Sequence, residues 1–467
     1  MKSIKFISAL AVVLMLFSCG KQESKKVAKK KLDKPNIIIL LADDLGYGEL
    51  GVYGQKTIKT PFIDEVASKG MKFTDFYAGT SVCSPSRAVL MTGKHTGHLS
   101  IRGNKGNING KWDRVPLQKS ELTVGEVLQG TGYQTAMIGK WHLGVPEDTS
   151  TWAKGRGFDY AVQEQWGEDK NGNEIDERVH WVNNNQDSIF YNYNNYKCLD
   201  EFRTNFALDY LEKKSEDKPF FLYMSYRTPH AHEFFLSKNN LYEDKLEEWP
   251  EIERRHAARI TMLDEQIKRL FDKLEERGEL ENTLILISSD NGPTNENHHD
   301  YKFFNSSGSL KGYKRDVYEG GVRVPLIAYW KNKIKAGAVT DFQAAFYDIM
   351  PTLAEVAKTK APEYIDGISF LPHLLGKEQT QKHDFMYWEI QEGQSVKGFR
   401  QAIRMGDWKA VRYGNNYHTE LYNLKEDLYE TNDVSKQHPE LVRKANVIIK
   451  RESEVNPHFP YSGGVFK

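Results

Sequence analysis

Asn36-Ile37-Ile38-Ile39-Leu40-Leu41-Ala42-Asp43-Asp44 is the stretch whose reading decides the fold. Its unbroken apolar run, rich in β-branched residues, predicts a strand covered on both faces, as in the middle of an α/β sheet. Gln134 to Ile138, Phe220 to Tyr226 and Leu284 to Ser289 read the same way, and Val322 to Trp330 is expected to be a fifth strand. Helical patterns lie between them. The clearest, Glu251 to Glu276, carries Ile260, Leu263, Ile267, Leu270, Phe271 and Leu274 on one stripe, with Gly278 as its stop. Strands alternating with helices predict an α/β chain: a large mixed, mostly parallel sheet with helices on both faces.

The texture changes from about Gly376. Short alternating stretches at Phe385 to Ile390, Gln401 to Ile403, Trp408 to Tyr413 and Glu420 to Asn423 predict a small antiparallel sheet, and Pro439 to Glu454 a closing helix. The expected division is a domain over 35–375 and a C-terminal subdomain over 376–467. Gly167 to Asn195, rich in Asn, Asp and Trp, is expected to be a long surface loop over the site.

Residues 1–19 are not part of this body. Lys2 and Lys5 precede a short apolar run that ends in Leu16-Phe17-Ser18-Cys19-Gly20. That order resembles a bacterial lipobox, which implies a lipoprotein signal peptide with Cys19 lipidated; an ordinary secretory signal is the alternative. The lysine-rich segment 20–34 without aromatics reads as a flexible tether. The expectation is an exported protein, lipid-anchored in the bacterial cell envelope (periplasm or outer membrane). Its membrane contact would run only through the N-terminal anchor. Lys plus Arg and Asp plus Glu both number 64, so no global field points to nucleic acid or a membrane surface. Three cysteines, Cys19, Cys83 and Cys198, give no disulfide framework, no CxxC pair and no zinc-ligand spacing.

In open parallel sheets, ligands bind beyond the carboxyl ends of the strands. Four predicted strands deliver polar residues there: Asp43 and Asp44; Lys140 and His142 of Gly139-Lys140-Trp141-His142; His230 of Thr228-Pro229-His230; and Asp290 and Asn291 of Ser289-Asp290-Asn291-Gly292. Asp43, Asp44, Asp290 and Asn291 are oxygen donors, a set that suits a hard divalent cation, Ca²⁺ more readily than Mg²⁺. Taken singly, Asp-Asp also reads as a helix cap and Asp-Asn-Gly as a turn.

Cys83 opens Cys83-Ser84-Pro85-Ser86-Arg87-Ala88-Val89-Leu90-Met91-Thr92-Gly93, which predicts a short helix with Ser84 as N-cap and Pro85 at its first position. The cysteine then sits at the positive end of a helix beside an arginine, where an anion is stabilised. A buried structural cysteine is the other reading.

Cys83-x-Pro85-x-Arg87, running on through Leu90-Met91-Thr92-Gly93, resembles the signature of the formylglycine-dependent type I sulfatases, which are alkaline-phosphatase-like in fold. The four strand-end blocks match that family in order. So do Lys311-Gly312-Tyr313-Lys314, Glu319-Gly320-Gly321-Val322-Arg323-Val324-Pro325, Met405-Gly406-Asp407-Trp408-Lys409 and Glu420-Leu421-Tyr422-Asn423-Leu424. The resemblance implies that a formylglycine-generating maturation enzyme converts Cys83 to formylglycine, whose hydrate attacks sulfur. One Ca²⁺ per chain would be bound by Asp43, Asp44, Asp290, Asn291 and the modified Cys83. Arg87, Lys140 and Lys314 would neutralise the sulfate. His230 would protonate the leaving oxygen with Lys314 assisting, and His142 would act as the base that releases sulfate.

The implied substrate is an O-sulfated saccharide. Candidate contacts are His95, His98 and Arg102 after the nucleophile helix, His232 where many relatives carry a second proline, and Trp388, Glu389 and Arg404 near the C-terminus. His298 and His299 read as loop residues. The rival functions are a phosphomonoester or phosphonate hydrolase on the same fold, and a non-catalytic glycan-binding lipoprotein should Cys83 stay unmodified.

Overall fold

A computed structural model describes residues 32–164, 167–168, 174–175, 179–192, 194–230, 241–296, 298–414 and 418–463. The expected signal peptide, Cys19, most of the tether and His232 lie outside them. The tether ends a little earlier than expected: Asp33 pairs with Lys358 (2.6 Å) and Lys34 Nζ donates to the Thr131 carbonyl (3.0 Å).

The main sheet contains β1 (Asn36–Asp43), β2 (Met71–Phe73), β3 (Gln134–Gly139), β4 (Tyr160–Glu164), β5 (Val179–Val182), β6 (Asn185–Phe190), β7 (Phe220–Pro229), β8 (Thr283–Ser289), β9 (Leu326–Tyr329) and β10 (Ala338–Thr340). Their spatial order is β6-β5-β4-β3-β7-β1-β8-β9-β2-β10. The five in the middle, β4 to β8 along that order, run parallel. β1 is central and buried throughout. Ile37, Ile39 and Leu41 enter one core, Ile38, Leu40 and Ala42 the other, as the two-residue period of a strand requires.

Helices cover both faces. The longer helices are α1 (Pro61–Lys69), α2 (Cys83–Thr92), α3 (Val124–Gly130), α4 (Leu199–Lys213), α5 (Glu251–Glu276), α6 (Ile349–Val356) and α7 (Pro439–Glu452). Side chains of α2, α3 and α6 join the core of Ile37, whereas α1, α4 and α5 join that of Ile38. The second sheet, β11 (Met386–Gln391), β12 (Phe399–Met405), β13 (Trp408–Tyr413) and β14 (Glu420–Asn423), is antiparallel in sequence order. It adds Trp388, Ile390, Ala402 and Val411 to the larger core. Its other face, with Ile403, Ala410 and Leu421, packs on Ala445, Ile448 and Ile449 of α7.

Two expectations need correction. Val322 to Trp330 is not one strand: Glu319–Val322 is a single helical turn, Arg323 makes an isolated bridge to Tyr77, and β9 alone joins the sheet, antiparallel to β8. The segment expected as a surface loop over 167–195 instead contains β5 and β6, which widen the sheet edge. Two of its asparagines, Asn183 and Asn184, form a two-residue hairpin turn, with Asn183 at φ 54°. Trp181 is buried against Trp152, ring centroids 4.7 Å apart.

Candidate active site

The carboxyl ends of β1, β3, β7 and β8 lie side by side in the sheet and converge on one centre. At the end of β1 the chain turns through Asp44 in the left-handed region (φ 67°), a conformation Asp tolerates through local hydrogen bonding. Its N–H donates to Asp290 Oδ1 (3.0 Å), which ties the ends of β1 and β8 together. After β3, Gly139 takes φ 109°, and a Cβ there would lie 1.8 Å from the Ser225 carbonyl oxygen. Only glycine makes that turn, and the turn presents Lys140.

Helix α2 begins at Cys83 itself, with Val82 as N-cap, two residues ahead of the expected start. Ser84 is not the cap because its hydroxyl donates to the His142 carbonyl (2.9 Å), while its N–H donates to Asn104 Oδ1 (3.1 Å). Cys83 Sγ therefore sits in the first turn, 3.5 Å from Asp43 Oδ1 and 3.9 Å from Asp44 Oδ1. One turn on, the Arg87 guanidinium forks onto Asp290 Oδ2 (2.9 and 2.7 Å) and donates to the Lys140 carbonyl (3.0 Å) and the Ser225 hydroxyl. Arg87 thus braces the acidic group from beneath.

Lys140 Nζ spans both oxygens of Asp43 (2.8 and 2.6 Å). Lys314 Nζ donates to Asp44 Oδ2 (2.7 Å) and Glu296 Oε2 (3.1 Å), and stands 3.3 Å from His230 Nε2. Burial acts to raise the Asp43 carboxyl, but Lys140, Arg87, Arg227 and Lys314 outweigh it and hold it well below the usual carboxylate range. Asp290 goes the other way: burial, with the Asp43 and Asp44 charges adding, pushes it up to about 6 despite Arg87. Burial also pushes the Cys83 thiol up, more than Lys140 and Lys314 pull it down, so the sulfur is an undissociated thiol at neutral pH. Burial, reinforced by Arg114, Lys140 and Arg87, drives the His142 imidazole well below its ordinary value, which leaves it neutral.

The donor set fits a hard cation. Oxygens of Asp43, Asp44 and Asp290 lie within 4.8 Å of one another. Asn291 Nδ2 donates to Asp44 Oδ1 (2.7 Å) and to the Gly292 carbonyl (2.9 Å), but among the described residues its Oδ1 is buried with no hydrogen-bond partner. A buried acceptor left unsatisfied costs about 1–3 kcal/mol, and a cation beside it removes that cost. Oxygen donors dominate the set, as Ca²⁺ chemistry prefers.

The expected substrate contacts fare differently. His95 and His98 follow α2, whose ten residues separate them from Cys83 by about 15 Å. There they meet Asp366 and Glu452: His98 Nδ1 lies 2.9 Å from Asp366 Oδ1, and His95 Nε2 3.3 Å from Glu452 Oε2. They latch the end of α7 and do not face the nucleophile. Arg102 and Glu389 form a buried ion pair (2.7 Å), the Trp388 indole donates to the Ala78 carbonyl (3.0 Å), and Arg404 pairs with Asp75 (2.9 Å) and bonds Tyr77. All four are buried with their polar atoms committed to protein, so they join the second sheet to the main core. His299 lies in a loop as expected, but it is buried there, bonded to Glu253 (2.7 Å) and stacked on His256 at 3.8 Å.

Several residues of the site had no sequence signal. Arg227 lies 3.7 Å from Asp43 and 2.8 Å from Glu164, and Arg203 also bonds Glu164. Glu296 holds Lys314 and Arg315, and Glu392, just past β11, reaches Arg315 (3.2 Å). Of these only Arg227, near the end of β7 and three residues before His230, was open to inference from the strand-end rule.

The family model described as sulfatase matches residues 35–359, and a second, described as N-sulphoglucosamine sulphohydrolase, C-terminal, matches 311–453. An arylsulfatase of Hemicentrotus pulcherrimus is 32% identical over 86% of this chain and 73% of its own length. An N-acetylgalactosamine-6-O-sulfatase of Bacteroides thetaiotaomicron is 27% identical over 96% of this chain and 99% of its own. Among solved structures, Ps i-CgsB in complex with k-i-k-neocarrahexaose superposes with a TM-score of 0.75 at 27% identity, over 90% of this chain and 92% of that one.

Proposed function

The chain belongs to the sulfatase family, and from that premise we propose that it hydrolyses O-sulfate esters on a sulfated saccharide, using Cys83 matured to formylglycine beside one calcium ion. The observation that carries this reading is the setting of Cys83. It opens a helix, its hydrogen-bond partners are two carboxylates, and its sulfur is held undissociated, so it is ill placed to act as a thiolate. Conversion of its side chain to an aldehyde, hydrated by one water to a gem-diol, would supply an oxygen nucleophile there, and a bound calcium would polarise the sulfate ester.

The chain's own groups then have distinct tasks. Asp43, Asp44, Asp290 and Asn291 would hold the ion, with Arg87 fixing Asp290 and Lys140 fixing Asp43. The ammonium groups of Lys140 and Lys314 offer fixed positive charge to a sulfate, which needs no reorganisation during reaction. His230 Nε2, against the Lys314 ammonium and 3.7 Å from Asp44 Oδ2, is placed to hold a proton for the leaving oxygen. His142, kept neutral by burial, is the matching base. Relatives named for N-acetylgalactosamine-6-O-sulfate chemistry and a neighbour bound to a neocarrahexaose support a saccharide as the sulfate carrier.

The same reading includes export and lipid attachment at Cys19, supported by the order Leu16-Phe17-Ser18-Cys19-Gly20, and a maturation enzyme as partner. The test is peptide mass mapping around Cys83 of calcium-loaded protein made with and without a formylglycine-generating enzyme, paired with aryl sulfate and aryl phosphate assays. Sulfate turnover that tracks conversion is expected. An active protein with an unmodified thiol, or faster phosphate hydrolysis, refutes the assignment.

A further inference from the structure

Two buried histidines take no part in the chemistry at Cys83. His256, near the start of α5, and His299, in the loop after Glu296, stack with their ring centroids 3.8 Å apart and their planes at 14°. Each meets a carboxylate. His256 Nε2 lies 2.5 Å from Glu49 Oε1, in the chain leaving β1, and His299 Nδ1 lies 2.7 Å from Glu253 Oε2, one turn before His256 on α5. No sequence spacing announces this group, because its members come from three segments.

All four side chains are buried, and among the described residues neither carboxylate forms an ion pair with a lysine or arginine. Burial, reinforced by His299, pushes the His256 imidazole down to about 4 against the pull of Glu49, so the ring is neutral and free to act as a ligand. An imidazole that donates Nδ1–H to a carboxylate presents its lone pair at Nε2. Glu253 holds His299 in that way, and His299 Nε2 is buried with no hydrogen-bond partner among the described residues, as is His256 Nδ1. A carboxylate that orients a histidine by its far nitrogen is the usual backing of a metal-ligating imidazole. Both carboxylates are themselves fixed: Gly46 N–H donates to Glu49 Oε2 (2.7 Å) and Asp300 N–H to Glu253 Oε1 (2.8 Å). One ring nitrogen of each histidine and one Glu49 oxygen lie within 4.8 Å of one another, close enough to meet a single ion.

We propose that Glu49, His256 and His299 form a second metal site, for a transition-metal ion such as Zn²⁺, with Glu253 orienting His299. Two imidazoles and one carboxylate suit zinc, whereas calcium takes oxygen ligands. The site shares no residue with the group of Asp43, Asp44 and Asp290. Its role is structural. His299 N–H donates to the Glu296 carbonyl (3.1 Å), Glu296 holds Lys314 (3.1 Å), and Gly48 N–H donates to the Ser306 carbonyl (2.8 Å). An ion at this point pins the loop that steadies Lys314 to α5 and to the chain leaving β1.

The test titrates Zn²⁺ into calcium-loaded, untagged full-length protein by calorimetry, with zinc and calcium contents measured after gel filtration. Wild type, His299→Gln and Glu253→Gln are compared. Wild type is expected to take up one zinc while keeping its calcium, and Tm to rise by about 3 °C at a hundredfold excess of zinc over its Kd. His299→Gln should lose that zinc and keep calcium, and Glu253→Gln should bind it about tenfold to a hundredfold more weakly. Wild type that takes up no zinc, or takes it up only in exchange for calcium, overturns the proposal. So does zinc bound with undiminished affinity by both variants, which would put it elsewhere, as at His95, His98 and Asp366. Should His299→Gln fail to fold, undiminished affinity in Glu253→Gln alone overturns it.

Discussion

Lys409→Met should break the joint that holds the two sheets together and, through it, the placement of Lys314. Lys409 Nζ lies 2.7 Å from Glu319 Oε1 and 3.3 Å from Glu430 Oε1, and all three side chains are fully buried. Glu319 keeps other donors, Arg323 Nε (2.6 Å) and the Tyr77 hydroxyl (2.8 Å), whereas among the described residues Glu430 retains only the Glu319 N–H (2.7 Å). At pH 8, above the value of about 7 to which burial and Glu319 push its carboxyl, Glu430 without the ammonium is a buried carboxylate facing another. Breaking a buried pair by removing one member costs about 3–5 kcal/mol. For a chain of this length the unfolding entropy is about 0.9 kcal/mol per degree, so Tm should fall by about 3–6 °C. The turn at Glu319–Val322 closes on Lys311 (Gly320 N–H to Lys311 carbonyl, 2.8 Å), and Lys314 lies between those contacts, so kcat/KM should fall with Tm. Calorimetry of the single variant and of Lys409→Met/Glu430→Gln decides the cause. The double variant removes the uncompensated charge and should recover at least half of the lost Tm. A single variant melting within about one degree of wild type, or a double variant melting lower than the single, would refute the reasoning.

Cys83→Ala should abolish sulfate turnover and shift Tm by less than about 2 °C, because Cys83 is buried but the change removes only one sulfur atom; retained turnover would remove Cys83 as nucleophile. Chelation should abolish activity and lower Tm by about 3 °C, the equivalent of about 2.7 kcal/mol for an ion held at a hundredfold excess over its Kd, with added calcium restoring both. If chelated protein melts unchanged, the Asp43, Asp44, Asp290 and Asn291 group is not a metal site. The Glu430 carboxyl, pushed up to about 7 by burial and by Glu319 against an ordinary 4.5, contributes stability below pH 4.5 that is lost as pH rises through about 7. Melts of wild type and Glu430→Gln should therefore diverge between about pH 5 and pH 8, wild type falling relative to the variant. A constant gap would show that Glu430 does not titrate there.

Much of the site was legible from β1 outward. An apolar run ending in two carboxylates fixes both the strand and where its polar residues emerge, because a parallel strand buried on both faces can carry them only at its ends. Asp43, Asp44, Lys140, His142, His230, Asp290 and Asn291 were all found that way. Asn183 and Asn184 misled because turn residues were read as a loop when they close a hairpin. Val322 misled because Gly320-Gly321 coil into a turn packed under Lys311 and Asp316, a close approach no pattern in the strand itself reveals.

The sequence determined the chemistry available at Cys83: the cysteine, the helix behind it and the oxygen donors ahead of it are all written in local runs. Only the tertiary structure decided which charges meet. Arg102, Glu389 and Arg404 look like sugar-binding groups in sequence, yet folding spends them on one another and on Asp75 and Tyr77. Arg227 has no motif, yet folding sets it between Asp43 (3.7 Å) and Glu164 (2.8 Å). The physical reason is that a charged side chain carries the same local signal whether its partner lies within the protein or in the substrate. The difference is set by which segments, distant in sequence, come within about 4 Å of it.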